Sequence, residues 1–262
     1  GAGKTTTMRM LLGLVKPTAG SIQVLGMELQ HHLPAILERT GSVIENPTFY
    51  PYLSGRDNLK AVALIANASE SLVPGILDLM DLTSAADKSF KSYSLGMKQR
   101  LAVGAAMLHS PDLLLLDEPA NGLDPAGIVE MRDLMVRLKS EGRTVFISSH
   151  VLHEIEQICD RIAILNHGKI VVQGTVDQLL RGQNTIEIEV GQPEKAAEIL
   201  GRLPFVKSVQ RGGERLLVSA SPDHAADINR ALAEQGLYLS FMRPEEQSLE
   251  QYFLDVTGEN QA

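Results

Sequence analysis

Tryptophan is absent from this chain, aromatic residues make up only 4% of it, and Cys159 is its single cysteine. One cysteine excludes an internal disulfide framework and fits a reducing compartment. Acids outnumber lysine and arginine, giving a formal charge of −8 with no basic run, so nucleic acid is not expected as a main partner. Long apolar runs are lacking too. None approaches the roughly 20 residues needed to span a bilayer, and no stretch has the order of a signal peptide. If the protein works at a membrane, another chain supplies the span. With 262 residues, 44% hydrophobic and 21% charged, one or two globular domains with a substantial core are expected.

An opening Met is missing as well. The chain starts Gly1-Ala2-Gly3-Lys4-Thr5-Thr6, the last part of the phosphate-binding pattern G-x-x-x-x-G-K-[ST], whose first glycine would precede residue 1. Glycines let backbone N–H groups turn inward around phosphate oxygens, Lys4 adds a positive charge, and the Thr5 hydroxyl can bind Mg²⁺. Thr5 to Leu14 is then a helix with its N-terminus facing the anion. A Lys-bearing flexible tail is the plain alternative.

Ser21–Gly26 alternates like a strand, and Gly41–Ile44 is a second short strand ending at Glu45-Asn46-Pro47. Glu45 is either a solvated loop acid or, at the carboxyl end of a parallel strand beside a nucleotide, a group well placed for metal or water. The loop Thr48–Gly55 gathers Phe49, Tyr50 and Tyr52 among turn formers, which suits a packing knuckle or a partner site. Helices are expected over Arg56–Ala66 and Ser71–Met80. Ser94-Leu95-Gly96-Met97-Lys98-Gln99 precedes a helical run from Leu101 to Leu108. Ser94 could simply cap that helix, or join Gly96 in an anion site at its positive end.

Leu113 to Leu116 followed by Asp117-Glu118-Pro119 reads as a buried strand of a parallel sheet ending in paired carboxylates. Ligands of such sheets sit beyond the carboxyl ends of the strands. Asp117 would hold Mg²⁺ and Glu118 would polarise an attacking water. Asn121-Gly122-Leu123-Asp124-Pro125 is a turn, with Pro125 opening a helix to about Ser140. Thr144–Ile147 is the next strand, closed by Ser148-Ser149-His150, so His150 is a third polar group sent to the same sheet edge. Val151–Ile158 is a helix, and Arg161–Leu165 with Lys169–Gln173 a hairpin.

After Gly182 the texture changes. Thr185–Val190 alternates, followed by a helix from Pro193 to Leu200, strands over Phe205–Gln210 and Arg215–Ser219, a helix from Pro222 to Gln235 and a strand over Leu237–Phe241. That βαββαβ order is the ferredoxin-like motif. It lacks a titratable cluster, so an interaction or packing module is expected there. The expected architecture is α/β: a phosphate-loop NTPase core with a mainly parallel sheet over 1–182, an inserted helical subdomain over about 51–110, and a small α+β domain over 183–262.

In that order, the phosphate-loop remnant, the Ser94–Gln99 signature, the Leu-Asp-Glu-Pro strand end, the Gly122-Leu123-Asp124 loop and the Ser149-His150 switch resemble the ATP-binding subunit of an ABC transporter. The resemblance implies ATP and Mg²⁺ as cofactors. Gly1, Ala2, Gly3, Lys4, Thr5 and Thr6 would hold the phosphates, Thr5, Asp117 and Glu45 the metal, with Glu118 as catalytic base and His150 at the γ-phosphate. Two copies would pair head to tail, so that Ser94, Gly96 and Gln99 reach the partner's ATP and Asp124 links the two sites. A separate membrane permease would dock near Phe49–Asp57, leaving this chain peripheral on the cytoplasmic face of the plasma membrane. The family often carries Gln at the place of Glu45 and Gly at those of Leu95 and Met97. Ile44–Tyr50 and Ser94–Gln99 are most similar to the bacitracin and lantibiotic self-protection branch, which implies export of a peptide antibiotic or similar amphipathic drug. The end, Ser248–Leu254, resembles that of drug- and peptide-export subunits. ABC ATPases of DNA repair carry a long coiled coil between phosphate loop and signature, and translation-associated ones carry two cassettes; this sequence has neither, and its Glu118 and His150 speak against a non-hydrolytic regulator. The family's first strand and its adenine-stacking aromatic would precede residue 1, so residues 1–262 by themselves are expected to fold poorly or bind ATP weakly.

Overall fold

The computed structural model describes residues 1–45, 48–180, 185–213, 215–245 and 248–257. The chain divides into two compact units, Gly1–Glu154 and Ile155–Ala262.

In the first unit, α1 (Lys4–Leu11) starts directly after Gly3, whose φ of +102° a side chain would strain. The helix stops short of the expected Leu14 because Gly13, at φ +70°, turns the chain away. The strand expected over Ser21–Gly26 is instead a small hairpin of β1 (Gln23–Val24) and β2 (Met27–Glu28). Leu25 and Gly26 take φ of +52° and +76°, which folds a strand back on itself within two residues. A helix absent from the sequence reading follows, α2 (Leu29–Leu37), irregular at His32 and holding Pro34. It buries Leu29 and Ile36 against Val24.

The functional half of the unit is built on β3 (Thr40–Val43). Helices α3 (Gly55–Ile65), α4 (Val73–Leu79) and α5 (Leu95–Met107) then pack on one another. Helix α5 begins at Leu95 rather than Leu101, because the Ser94 hydroxyl accepts the Met97 N–H and caps it there. The chain continues through β4 (Leu113–Asp117), α6 (Pro125–Ser140), β5 (Thr144–Ser148) and α7 (Leu152–Ile158).

Strands β3, β4 and β5 form a parallel sheet in that spatial order, with Asp117 of β4 opposite Ser148 of β5. Leu114, Leu115 and Leu116 are fully buried, as a central parallel strand requires. Helix α1 lies against β4, α5 against β3 and α6 against β5. Gly41 makes the α5 contact possible, since a Cβ there would collide with the Ala106 carbonyl.

The second unit opens with the expected hairpin, β6 (Arg161–Asn166) and β7 (Lys169–Thr175), turned by His167 and Gly168 at positive φ. Helix α8 (Val176–Leu180) follows; the change of texture at Gly182 lies outside the described residues. Then come β8 (Thr185–Val190), α9 (Pro193–Leu200), β9 (Ser208–Gly212), β10 (Arg215–Ser219), α10 (Ala225–Ala233), β11 (Leu239–Glu245) and α11 (Leu249–Thr257). Glu214, between β9 and β10, is outside the described residues, as are Asn46 and Pro47 of the first unit. The sheet order is β11-β8-β10-β9 with every pair antiparallel, the arrangement that βαββαβ connectivity produces. Strands β9 and β11 both run later than the sequence reading has them, ending at Gly212 and Glu245 rather than Gln210 and Phe241. Ile186, Ile188, Leu216 and Val218 point to one side and meet Ala196, Leu200, Ile228 and Leu232 of α9 and α10. No helix among the described residues is long and apolar enough to cross a membrane.

Candidate functional site

The parallel sheet ends in Asp117, Glu118, Ser148 and His150, at or just beyond the carboxyl ends of β4 and β5, and α1 brings two more polar residues there. The Thr5 hydroxyl, in the first turn of α1, donates to Asp117 Oδ2 at 2.7 Å. Lys4 Nζ stands 3.3 Å from Glu118 Oε1. His150 Nδ1 is 2.7 Å from the other carboxylate oxygen, Oε2, and the His150 backbone N–H donates to that same oxygen at 3.3 Å. An ionised carboxylate only accepts, so Nδ1 carries the proton and Nε2 is the free ring atom. Glu118 thus lies between an ammonium and an imidazole.

Its backbone is unusual. Glu118 has φ +50°, a left-handed conformation that costs a non-glycine residue about 1–3 kcal/mol and persists where surrounding contacts impose it. The turn sends the Glu118 side chain to Lys4 and His150 while Asp117 faces Thr5. Ser148, a residue the sequence reading leaves out of the site, sits under both. Its hydroxyl donates to Asp117 Oδ1, and its Oγ accepts the Glu118 N–H at 3.1 Å. The available signal was a serine ending a strand directly opposite the first acid.

Lys4, Thr5, Asp117, Glu118 and His150 are therefore joined in one polar cluster. Gly1, Ala2, Gly3 and Thr6 belong to the same turn and helix start, where the positive φ of Gly3 frees the first N–H groups of α1. Glu45 lies beside that cluster and outside its hydrogen bonds: it follows β3 at φ +64° and pairs with Arg9 on α1, its side chain 61% exposed. Arg9 is the second residue the sequence reading passed over, a cation late in α1 with nothing in the sequence to mark its partner.

Ser94, Gly96 and Gln99 form a separate group at the start of α5. Ser94 is exposed and Gln99 buried. The Gly122-Leu123-Asp124 loop neighbours them, with Leu95 against Gly122 and Leu123 near Gly96. Asp124 caps α6, its Oδ1 accepting the Gly127 N–H at 3.1 Å. Among the described residues no hydrogen bond or ion pair links this group to the Lys4–Glu118–His150 cluster.

The aromatic loop divides its roles. Phe49 packs edge-on against Phe90 at 5.1 Å, whereas Tyr50 and Tyr52 are 63% and 83% exposed. Buried Asn58 holds the loop: its side chain accepts the Tyr50 N–H at 2.8 Å and donates to the carbonyls of Tyr50 and Ser54 at 3.0 Å. The tip is therefore outward-facing and fixed.

The chemistry of the cluster suits a phosphate ester with a divalent cation. A hydroxyl and one carboxylate are hard oxygen donors of the kind Mg²⁺ takes alongside phosphate oxygens and water. No group of three or more His, Cys, Asp or Glu side chains among the described residues could hold a metal without such help.

The family model for ABC transporters matches residues 1–121. The chain is 40% identical over 263 residues to the bacitracin transport ATP-binding protein BcrA of Enterococcus faecalis, spanning 98% of this chain and 85% of that protein. Over 177 residues it is 44% identical to the lantibiotic transport ATP-binding protein SrtF of Streptococcus pyogenes, 68% of this chain and 76% of that one. A solved ATP binding subunit of an ABC transporter superposes with a TM-score of 0.59 at 30% identity, over 69% of this chain and 77% of that one. Together with a phosphate-type loop facing paired carboxylates, this likeness along almost the whole chain settles the family: the chain belongs to the ATP-binding proteins of ABC transporters, which are ATPases.

Proposed function

We propose that this ATPase drives export of a peptide antibiotic or similar amphipathic drug through a separate membrane subunit, with Glu118 as its catalytic base. ATP-binding subunits of transporters work with separate membrane subunits, and the names of the bacitracin and lantibiotic relatives support the class of cargo. The observation that carries the catalytic reading is the Glu118 carboxylate held between Lys4 Nζ and His150 Nδ1.

Gly1 to Thr6 bind phosphate oxygens through backbone N–H groups and the Lys4 ammonium. Thr5 and Asp117 would hold Mg²⁺, which would supply charge neutralisation on the phosphates. Glu45, tied to Arg9, lies at the edge of this site and communicates with metal and membrane subunit. Lys4 is shared in the resting chain: the ammonium that neutralises Glu118 is the one a phosphate attracts. Once it turns to phosphate, the carboxylate is free to take a proton from an attacking water. His150 keeps Glu118 aimed through Nδ1–H and leaves Nε2 for the γ-phosphate. Positioning and charge stabilisation are the main contributions a protein makes to phosphoryl transfer.

Two copies assemble head to tail, each ATP lying between one copy's Lys4 cluster and the other's Ser94, Gly96 and Gln99, with Asp124 linking the sites. The separation of the two groups within one chain supports this. The fixed, outward Tyr50–Tyr52 tip, within Phe49–Asp57, receives the membrane subunit, which holds the chain at the cytoplasmic face of the plasma membrane. The ATPase part runs to about residue 182, with a helical subdomain over about 51–110, and 183–262 is an accessory module.

Glu118→Gln tests the reading. It should abolish phosphate release yet leave an ATP-stabilised dimer on size-exclusion chromatography, because the binding groups remain and only the base is lost. Turnover at the parental rate would remove Glu118 from the role.

A further inference from the structure

Ser148 has no part in the chemistry above, yet it touches both acids. It is the last residue of β5, opposite Asp117 in the parallel register, and is 7% exposed. A hydroxyl offers one proton and two lone pairs. The Glu118 N–H can only donate, so Ser148 Oγ must accept there, at 3.1 Å. The hydroxyl proton is then committed to Asp117 Oδ1. The Ser148 carbonyl also accepts the Glu118 N–H, at 3.1 Å, so this peptide is held twice by one residue.

Two consequences follow for the acids. With Oδ1 occupied, Asp117 presents Oδ2 toward Thr5 Oγ1, 2.7 Å away, which fixes the plane of the carboxylate. With its N–H captured, Glu118 is held at φ +50°, and its side chain leaves the strand in the direction of Lys4 and His150. A strand continuing in extended geometry would instead place successive side chains on opposite faces of the sheet.

We infer that Ser148 is a positioning residue whose single hydroxyl sets the orientation of the metal-binding carboxylate and, through the backbone, that of the catalytic base. The inference rests on the reading of Asp117 as metal ligand and Glu118 as base. A purely structural serine would satisfy buried polar groups and matter to stability alone. A positioning serine matters to the metal and the turnover rate more than to ATP capture, since Lys4 and the glycine turn do not touch it.

The test compares Ser148→Ala, Ser148→Thr and Asp117→Asn in the purified protein. Mn²⁺ binding is followed by loss of the free-ion paramagnetic resonance signal with a non-hydrolysable ATP analogue present; kcat, KM for ATP, metal-free ATP affinity and melting temperature are measured alongside. Ala should weaken the Mn²⁺ midpoint and lower kcat by about 10-fold each, the lower end of what outer partners of metal ligands contribute, with KM and metal-free ATP affinity within about twofold. Thr, which keeps the hydroxyl, should restore the midpoint. If Ala lowers only the melting temperature and leaves the Mn²⁺ midpoint and kcat at parental values, Ser148 is structural and the inference fails. It fails equally if Thr melts like the parent but binds Mn²⁺ like Ala. Should Ala not fold, Ser148→Cys, isosteric but a weaker donor, is read by the same midpoint, with the same direction expected and an unchanged midpoint overturning the inference. Asp117→Asn separates the two levels: if it leaves the midpoint unchanged, the metal reading itself is wrong, whereas loss of Mn²⁺ binding there beside a normal Ser148→Ala defeats this inference alone.

Discussion

The two larger sheets among the described residues spend polar residues in opposite ways. In the parallel sheet β3-β4-β5 the strand interiors are largely apolar and the polar groups stand at the carboxyl ends: Asp117, Glu118, Ser148 and His150. In the antiparallel sheet β11-β8-β10-β9 they alternate along the strands, and a charged face lies opposite the apolar one. There Arg215 binds Glu187 at 2.9 Å and Glu189 at 3.4 Å and lies 4.5 Å from the centre of the Phe241 ring. The second arrangement consumes its charges within the sheet. The first gathers them at an edge where a ligand can compete for them. A strand buried on both faces, as β4 is, can offer chemistry only at its end, whereas a sheet with one free face needs polar side chains just to be wetted.

That contrast can be broken most severely at Lys4. Lys4→Ala should lower ATP turnover by at least about 100-fold, a loss of the size that removing one charge-stabilising group produces, while the melting temperature moves little. Arg215→Ala, its counterpart in the antiparallel sheet, should leave turnover within twofold of the parent in a phosphate-release assay, because its partners Glu187, Glu189 and Phe241 all belong to that sheet. A large loss of turnover in the Arg215 variant would erase the distinction between the two sheets.

The interiors should behave alike. Leu115→Ala in β4 and Ile188→Ala in β8 each empty a site at most 1% exposed, and each should cost about 2–5 kcal/mol in denaturant unfolding, the range for large-to-small core changes. Asp124 gives a smaller and sharper comparison. Asp124→Ala removes the cap of α6 and should destabilise by about 1 kcal/mol, whereas Asp124→Asn keeps a capping oxygen and should be neutral. Any loss of turnover in the Asn variant then reports a role beyond the cap.

The smallest effects are exposed charges on either side of the comparison. Arg56 donates a hydrogen bond to Asp87 and holds its carboxyl below the usual range. Glu194 is held low first by its own backbone N–H at the start of α9 and then by Arg211. For a depressed carboxyl the stabilisation is present above the unfolded pKa and is lost as pH falls through the folded one. Asp87→Asn and Glu194→Gln should therefore each lower the melting temperature slightly at neutral pH and flatten the acid side of the profile, the variants converging with the parent below about pH 4, where unperturbed carboxyls titrate.

Much of the fold and of the site is legible in the sequence. Four leucines ending on Asp117-Glu118 read as a buried strand delivering acids to an edge, and Thr185–Val190 read as an alternating strand, whose Ile186, Ile188 and Val190 the structure buries. Helices α6 and α9 start at Pro125 and Pro193 as read. What stayed hidden depends on contacts between distant residues or on backbone angles that sequence does not display. Leu25 is a poor turn residue, yet its positive φ makes the β1–β2 hairpin. Pro34 and the paired His31-His32 break up the apolar period of α2. Ser94 begins α5 early because its capping geometry outweighs the weak helix propensity of Gly96. Arg9–Glu45 and Ser148–Asp117 join residues with nothing between them in sequence to suggest a bond.

The pairing of Asp117 with Ser148 also bears on how the sheet finds its alignment. Parallel strands have no tight turn to set their stagger, and four consecutive leucines look much the same after a slip of one or two positions. Apolar burial alone therefore leaves β4 several nearly equivalent placements beside β5. Only one of them lets the serine hydroxyl meet the aspartate and the following peptide N–H; a slip of one position sets Asp117 beside Ile147 or beyond the end of the strand. The polar end thus works as a pin for an otherwise slippery strand, so the chain that has folded with the right stagger is also the one whose acids are aimed.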